Sequence, residues 1–415
     1  PTPAPTEEPL STTDGEITAA SKSVLCLTGA DGAVVTVMLT DETEHTGESY
    51  VNGNVAQVSY RESERDGQGI RAVKVEVSRG EHRSRAEDLL EKMTLEEKVG
   101  QMFFVRCPDG ASGEAAKYQF GGYILFGRDF DGLTKEQVTA NISSYQENSK
   151  LPMLIGVDEE GGTVVRVSDN PNLCGEPYWS PRALYDSGGM KSVLYAENDK
   201  CRVFSQLGIN VNYAPVCDIS RDPADFMYDR SLGRDADTTA DYIRQVVGVY
   251  AQNGKGCVLK HFPGYGNNRD THTGIALDER PLEQFREEDF VPFAVGIQAG
   301  AGCVLVSHNI VSCVDGDRPA SLSEKWHTLL REELGFTGCI ITDDLSMGAI
   351  RDYCDTGSAA VQAVKAGNDL LCCTDYEVQL PAVVLAVQNG EIPEERIDES
   401  VLRILTWKGQ LGLLE

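Results

Sequence analysis

The chain has 415 residues, enough for one large domain and a smaller companion. Its 65 acidic residues against 37 basic ones give a formal net charge of −28, which argues against a nucleic-acid partner or an anionic membrane surface because both would be repelled. A hydrophobic content of 41% supports a sizeable core, while no run of 18 apolar residues is present to span a bilayer.

Residues 1–20, PTPAPTEEPLSTTDGEITAA, are rich in Pro, Thr and Glu, a composition that buries little and predicts a flexible tether. A tether of this kind often follows a removed signal or lipid-anchor segment, so export or surface anchoring in a bacterium is the expectation, with the cytoplasm as the alternative. Residues 21–82 read as a small all-β domain. The runs SVLCLTG, AVVTVMLT, SYVNGNVAQVSYR and RAVKVEVS are rich in β-branched residues and divided by turn signals such as Asn52-Gly53-Asn54. Four or five short strands are expected there, with no basic or aromatic stripe.

The rhythm changes near residue 83, and residues 83–415 read as one domain. Residues 84–98 carry apolar groups at helical spacing. Short apolar runs then alternate with amphipathic stretches. The runs are QMFFVRC, GGYILFG, PMLIGVD, INVNYAPVCD, GCVLKHF, AGCVLVSHN, GCIITDD and DLLCCT. Runs that are apolar throughout, rather than alternating, fit strands buried on both faces. Eight of them with intervening helices (239–253, 285–299 and 323–334 among them) predict an α/β fold, a (β/α)8 TIM-type barrel. Two or three helices should follow over residues 377–413. Most of the 12 cysteines sit in or beside these runs without CxxC spacing, as buried free thiols do, which by itself favours a reducing compartment and speaks against a metal site.

The ends of the runs carry polar residues: Asp158, then Asn212 and Asp218, Lys260-His261, Ser307-His308-Asn309, and Thr342-Asp343-Asp344. In a barrel of this type the active site lies at the C-terminal ends of the strands. Of 6 histidines, His261, His272 and His308 fall at or just beyond strand ends. The stretch 256–274, GCVLKHFPGYGNNRDTHTG, joins a buried run to a Gly-rich loop that closes on Asp270, Thr271 and His272. An Asp two residues before a His can orient the imidazole and hold its proton. A lone Asp-x-His is also common in ordinary surface loops.

KHFPGYG, the Asp-Thr-His that follows it, and IITDDLSM together resemble the β-N-acetylglucosaminidases of glycoside hydrolase family 3. The resemblance extends through LFGRDF, GVDEEGG, LGINVNYAPVCD and DRSLGRD, over about residues 90–375. It implies a retaining exo-enzyme that removes terminal β-linked GlcNAc, often from cell-wall fragments, without metal or cofactor. The partner would be a carbohydrate, a GlcNAc-containing glycan or muropeptide. On the matching positions, Asp343 would be the nucleophile, His272 the general acid/base and Asp270 its partner. Asp158, Arg230, Lys260 and His261 would hold the sugar hydroxyls. A carboxylate to form the glycosyl-enzyme and an acid to protonate the departing oxygen are what retention requires. The chain departs from the pattern at Tyr265, where many relatives have a second His, and at Thr163, where an Arg is common. Asp344 competes with Asp343 for the nucleophile's role. Two other readings stay open: a β-GlcNAc or β-glucoside phosphorylase on the same scaffold, and a non-catalytic sugar-binding receptor.

Overall fold

The computed structural model describes residues 8–21, 23–30, 32–66, 69–268, 270–271 and 274–414. The first six strands, β1 (Ser11–Ala20), β2 (Val24–Thr28), β3 (Val34–Met38), β4 (Glu44–Gly47), β5 (Val55–Asp66) and β6 (Gly69–Ser78), form one sheet in the order β3-β2-β1-β5-β6-β4. A further β3–β6 pairing curls this sheet back on itself. Its own core is built by Ile17, Leu25, Leu27, Val37, Val58 and Val75, with neighbours of the same kind.

One expectation fails here. Residues 11–20 are not tether but the central strand, paired antiparallel with β2 and β5. The polar composition hid an alternation: Gly15, Ile17 and Ala19 point inward while Glu16 and Thr18 stay nearer solvent. Period-two burial, not mean polarity, decides a half-buried strand. The tether expected over residues 1–7 lies outside the described residues.

The helix expected over 84–98 is two helices, Glu81–Leu90 and Leu95–Gln101. Thr94 starts the second: its hydroxyl accepts from the Glu97 N–H, and the Glu97 carboxylate accepts from the Thr94 N–H. That reciprocal cap outweighs the continuous apolar spacing that runs through it.

The remaining strands are β7 (Phe103–Arg106), β8 (Gly122–Leu125), β9 (Leu154–Val157), β10 (Val211–Asn212), β11 (Gly256–Phe262), β12 (Leu277–Asp278), β13 (Cys303–Val306), β14 (Ile310–Val311), β15 (Cys339–Thr342) and β16 (Leu371–Cys373). Eight of them form a parallel sheet ordered β15-β13-β11-β10-β9-β8-β7-β16. The bridge between Ile341 and Leu370 brings β15 to β16 and closes the barrel. Each apolar run of the sequence supplies one of these strands, and β8, β9, β13 and β15 are buried along their whole length. Helices such as Ala236–Gln252 and Glu324–Glu332 cover the outside, and Tyr376–Gln388 and Glu394–Gln410 end the chain. All twelve cysteines are free thiols, most of them buried. Among the described residues no helix is long and apolar enough to cross a membrane.

The small sheet packs against the end of the barrel where the strands begin. Glu16 of β1 receives a hydrogen bond from His82 at 2.7 Å and another from Gln410 at 2.8 Å. Trp407 of the last helix lies against Gly256 and Gly302, at the starts of β11 and β13. The opposite end of the barrel is left to the chemistry.

Candidate active site

Strand β9 ends in Asp158-Glu159-Glu160, and the three carboxylates do different things. Glu159 is a folding device. Its side chain accepts N–H bonds from Arg166 at 2.9 Å and Val167 at 2.7 Å, together with the Ser168 hydroxyl. Asn212, at the end of β10, holds the Glu159 backbone from both sides at 3.0 and 3.1 Å. This shapes the turn that carries Asp158 and Glu160.

Glu160 is the centre of a buried charge cluster. Arg230 grips its carboxylate with two prongs, Nε to Oε2 at 2.9 Å and Nη2 to Oε1 at 2.6 Å. Lys260 Nζ lies 2.6 Å from Glu160 Oε1 and 2.6 Å from Asp158 Oδ1. Burial opposes ionisation of Glu160, but the charges of Arg230 and Lys260 outweigh it and hold the carboxyl well below the usual range. Burial likewise opposes the Lys260 ammonium, and Asp158 with Glu160 restores it, so its pKa lies above the ordinary value.

His261 stands beside Lys260 at the end of β11. Arg230 Nη2 lies 3.1 Å from His261 Nε2. A guanidinium only donates, so Nε2 accepts and Nδ1–H is directed at Asp218 Oδ2, 2.8 Å away. Asp218 also accepts the backbone N–H groups of His261 at 3.0 Å and Tyr265 at 2.8 Å. Burial alone would raise its pKa; His261 and those amides bring it below the usual value instead. Asp218 thereby fixes both the imidazole and the turn that opens the Gly-rich loop.

That loop is held at its root. Tyr265, the departure noted at the sequence level, is buried with its ring edge-on to His261 at 5.2 Å, and its hydroxyl meets Thr271 Oγ1 at 2.6 Å. Arg280 is clamped by Asp278 at 2.9 Å and Asp289 at 2.8 Å and donates to the Gly264 carbonyl at 3.3 Å. A side chain at Gly266 (φ 53°) would strike the Arg280 guanidinium at 2.5 Å, so only glycine fits there. The returning strand β12 pairs with β14, which tethers the far side of the loop to the end of β13. Thr271 is buried and Asp270 partly so; His272 lies outside the described residues.

Asp343 follows β15 directly. Its N–H donates to Val306 at 3.1 Å, and its Oδ1 accepts the Asp344 N–H at 2.9 Å. Asp158 follows β9 as Asp343 follows β15, so both carboxylates stand where the barrel strands end. Asp344 is turned to structure: it accepts from the Ser346 N–H at 2.8 Å and the Thr374 hydroxyl at 3.0 Å, and its carbonyl accepts from His308 at 3.0 Å.

The structure thus gathers Asp158, Arg230, Lys260, His261 and Asp343 at the strand-end face. Sequence reasoning passed over Glu160 as a clamp, although it stood in the quoted GVDEEGG. It placed Asp218 at a strand end without a task. Two buried bases, Lys260 and Arg230, were the signal that a buried acid had to be found for them.

A closed parallel barrel with carboxylates and bases converging where its strands end has the architecture of a barrel enzyme. Residues 94–407 match the family model described as the glycosyl hydrolase family 3 N terminal domain. The chain belongs to glycoside hydrolase family 3 and is a glycoside hydrolase. It is 35% identical over 337 residues to the β-hexosaminidase LpqI of Mycobacterium tuberculosis, covering 75% of this chain and 82% of that protein. It is 33% identical over 276 residues to a β-hexosaminidase of Nitrosomonas eutropha, covering 61% and 74% of the two. Among solved structures, a family 3 β-N-acetylglucosaminidase from a Paenibacillus species aligns with TM-score 0.72 and 32% identity over 77% of this chain and 63% of that one, so this chain spans under two thirds of its length. The LpqI structure aligns with TM-score 0.70 and 30% identity, over 78% and 96%. The small N-terminal sheet precedes the family match.

Proposed function

We propose that the chain is a retaining exo-β-N-acetylglucosaminidase that removes terminal β-linked GlcNAc, with peptidoglycan fragments as the natural source. The observation that carries this reading is the buried cluster of Asp158, Lys260, Glu160, Arg230 and His261 on the same face as Asp343. Such a cluster keeps charged donors and acceptors fixed at the strand-end face, where they can meet a polar ligand. The β-hexosaminidase names of the relatives point to the same sugar.

In this mechanism Asp343 attacks the anomeric carbon as the glycosidic C–O bond breaks. The departing oxygen takes a proton from His272, whose imidazolium Asp270 stabilises. The imidazole then removes a proton from water, and the hydroxide carbon bond replaces the aspartyl ester. Two inversions leave the configuration unchanged. Asp158, Lys260 and Arg230 hold ring hydroxyls by charge-assisted hydrogen bonds, and His261 completes the wall.

The test is a panel of aryl glycosides followed by product analysis on a muropeptide. We expect kcat/KM for the aryl β-GlcNAc to exceed that for the aryl β-glucoside by at least about 100-fold, because a site that hydrogen-bonds an acetamido substituent rejects an analogue lacking it. Equal values would overturn the sugar assignment. Turnover that requires inorganic phosphate and yields a sugar phosphate would replace hydrolysis with phosphorolysis.

A further inference from the structure

Beside the active-site turn the fold leaves two aromatic side chains outside. Trp179 is 57% exposed and Tyr195 78%, and among the described residues they are the exposed Trp and Tyr side chains. A single exposed ring is ordinary. These two line one concavity of about 610 Å3, whose walls also include Leu184, Ser187, Lys191 and Ser192.

The concavity has a structural cause. The helix Pro181–Leu207 is broken at Gly188 (φ −163°, ψ 21°) and Gly189 (φ 65°, ψ −160°). The second of these is a glycine conformation. The hollow is lined by residues on both sides of this break, with Tyr195 on the later piece and Trp179 on the loop before the earlier one. The floor is fastened: the Tyr178 hydroxyl donates to Asp199 at 2.6 Å, and Arg202 holds the other oxygen of Asp199 at 2.6 Å. Trp179 and Tyr195 thus project from a fixed base.

The hollow adjoins the site already described. The Gly162 N–H donates to the Tyr178 carbonyl at 2.8 Å, and a side chain on Gly161 would meet the Trp179 carbonyl at 2.3 Å. The segment bearing Trp179 therefore lies on the turn that follows Asp158 and Glu160.

We propose that this surface is a second carbohydrate-binding site, which holds a distant part of the same β-linked hexosamine polymer whose end enters the active site. Aromatic rings cover the C–H faces of sugars, and the hydroxyls and ammonium around them meet the sugar rim. Stacking of a sugar face on an aromatic ring does not depend on net charge, so the chain's −28 does not oppose a hexosamine backbone there. This inference rests on the hexosaminidase reading.

The test compares wild type with Trp179→Ala and Tyr195→Ala in two assays. The first is retardation in native gels containing glycol chitin. The second is kinetics on the β-1,4-linked GlcNAc hexamer and on p-nitrophenyl β-GlcNAc. Each variant should lose retardation, and kcat/KM on the hexamer should fall about 3- to 10-fold, with the aryl substrate unchanged within about twofold. Unchanged retardation in both variants overturns the proposal. Equal loss on both substrates would also overturn it and assign the rings to the active site. If both variants instead abolish a concentration-dependent dimer in light scattering and leave glycan binding intact, the hollow is a protein interface and the proposal fails. Wild type that is retarded by glycol chitin in a Trp179-dependent way yet inactive on aryl β-GlcNAc would keep this site and overturn the function reading alone.

Discussion

Glu160 and Arg230 form a two-pronged ion pair in which the carboxylate side chain is 1% exposed and the guanidinium side chain 13%. The same carboxylate holds Lys260 at 2.6 Å. Two cations of the proposed substrate wall therefore depend on one buried acid.

Replacing that acid should cost both stability and activity. In Glu160→Gln the shape survives, but Arg230 is left buried without its full counter-charge and Lys260 keeps only Asp158. Breaking a buried pair in this way costs about 3–5 kcal/mol. We expect kcat/KM to fall by about 100-fold or more as the cations re-aim. The folded pKa of Glu160 lies far below its ordinary 4.5, so its contribution is fully present above 4.5 and declines progressively as pH falls from there towards the folded value. Urea unfolding between pH 3.5 and 7 checks this: the gap between wild type and variant should be widest at pH 7 and narrow on acidification. A variant that matches wild type at pH 7 would refute the clamp.

The adjacent aspartates should separate cleanly. Asp343→Asn is expected to lower turnover by a factor on the order of 10³ or more with the fold intact, as removal of a nucleophile does. Asp344→Asn should act on stability, by about 1–2 kcal/mol, because Asp344 accepts the Ser346 N–H and the Thr374 hydroxyl. Steady-state rates and thermal melts of both variants decide. A larger activity loss in Asp344→Asn would exchange the roles.

Leaving-group dependence tests the proposed dyad and the loop that carries it. His272→Ala should slow poor leaving groups far more than activated aryl glycosides, since a good leaving group needs little protonation. Asp270→Asn should show the same slope in weaker form. The loop bearing these residues, 264–273, is dense in Gly and Asn, and we expect it to close over bound sugar. Tyr265→Phe, which deletes the 2.6 Å contact with Thr271, should follow the Asp270→Asn pattern with a fall in kcat of about 3- to 10-fold. Rates measured across aglycones of graded pKa provide the slope, and a uniform loss in all three variants would make His272 a binding residue.

The seam between the small sheet and the barrel should weaken at alkaline pH. The hydrogen bond from His82 to Glu16, opposed in part by burial, raises the imidazole pKa above its ordinary 6.5. A raised pKa means that the stabilisation is fully present below 6.5 and is lost as pH rises through the folded value. The imidazole is half-exposed, so solvent screens the pair to below about 1 kcal/mol. Calorimetry of wild type and Glu16→Gln should show a small Tm gap at pH 6 that closes by pH 9. A gap that grows with pH would contradict the assignment.

Much of this was legible in the sequence because it is local. Eight apolar runs such as PMLIGVD and GCIITDD are strands whichever order they take, and the polar residue that ends each run must emerge at the strand's end. That logic alone puts Asp158, Lys260, His261 and Asp343 on one face. Mean polarity misled at residues 11–20, where the inward set of Gly15, Ile17 and Ala19 is small and sparse enough to pass for a tether. The Thr94 cap is legible as Thr-x-x-Glu, and it splits the single helix that apolar spacing alone predicts.

Other features depended on closure of the barrel. Glu160 looks like Glu159 in the sequence; Glu159 folds its own loop through nearby amides, whereas Glu160 meets Arg230 from the loop after β10 and Lys260 from β11. Asp218 becomes the support of His261 only because β10 and β11 lie side by side. The small sheet could have covered either end of the barrel, and its packing beside Gly256, Gly302 and Trp407 put it away from the chemistry. Apolar pattern and turn residues act over a few positions and can be read along the chain. The pairing of buried charges is governed by desolvation across the assembled core, where the stabilising partner is whichever opposite charge the fold carries within reach.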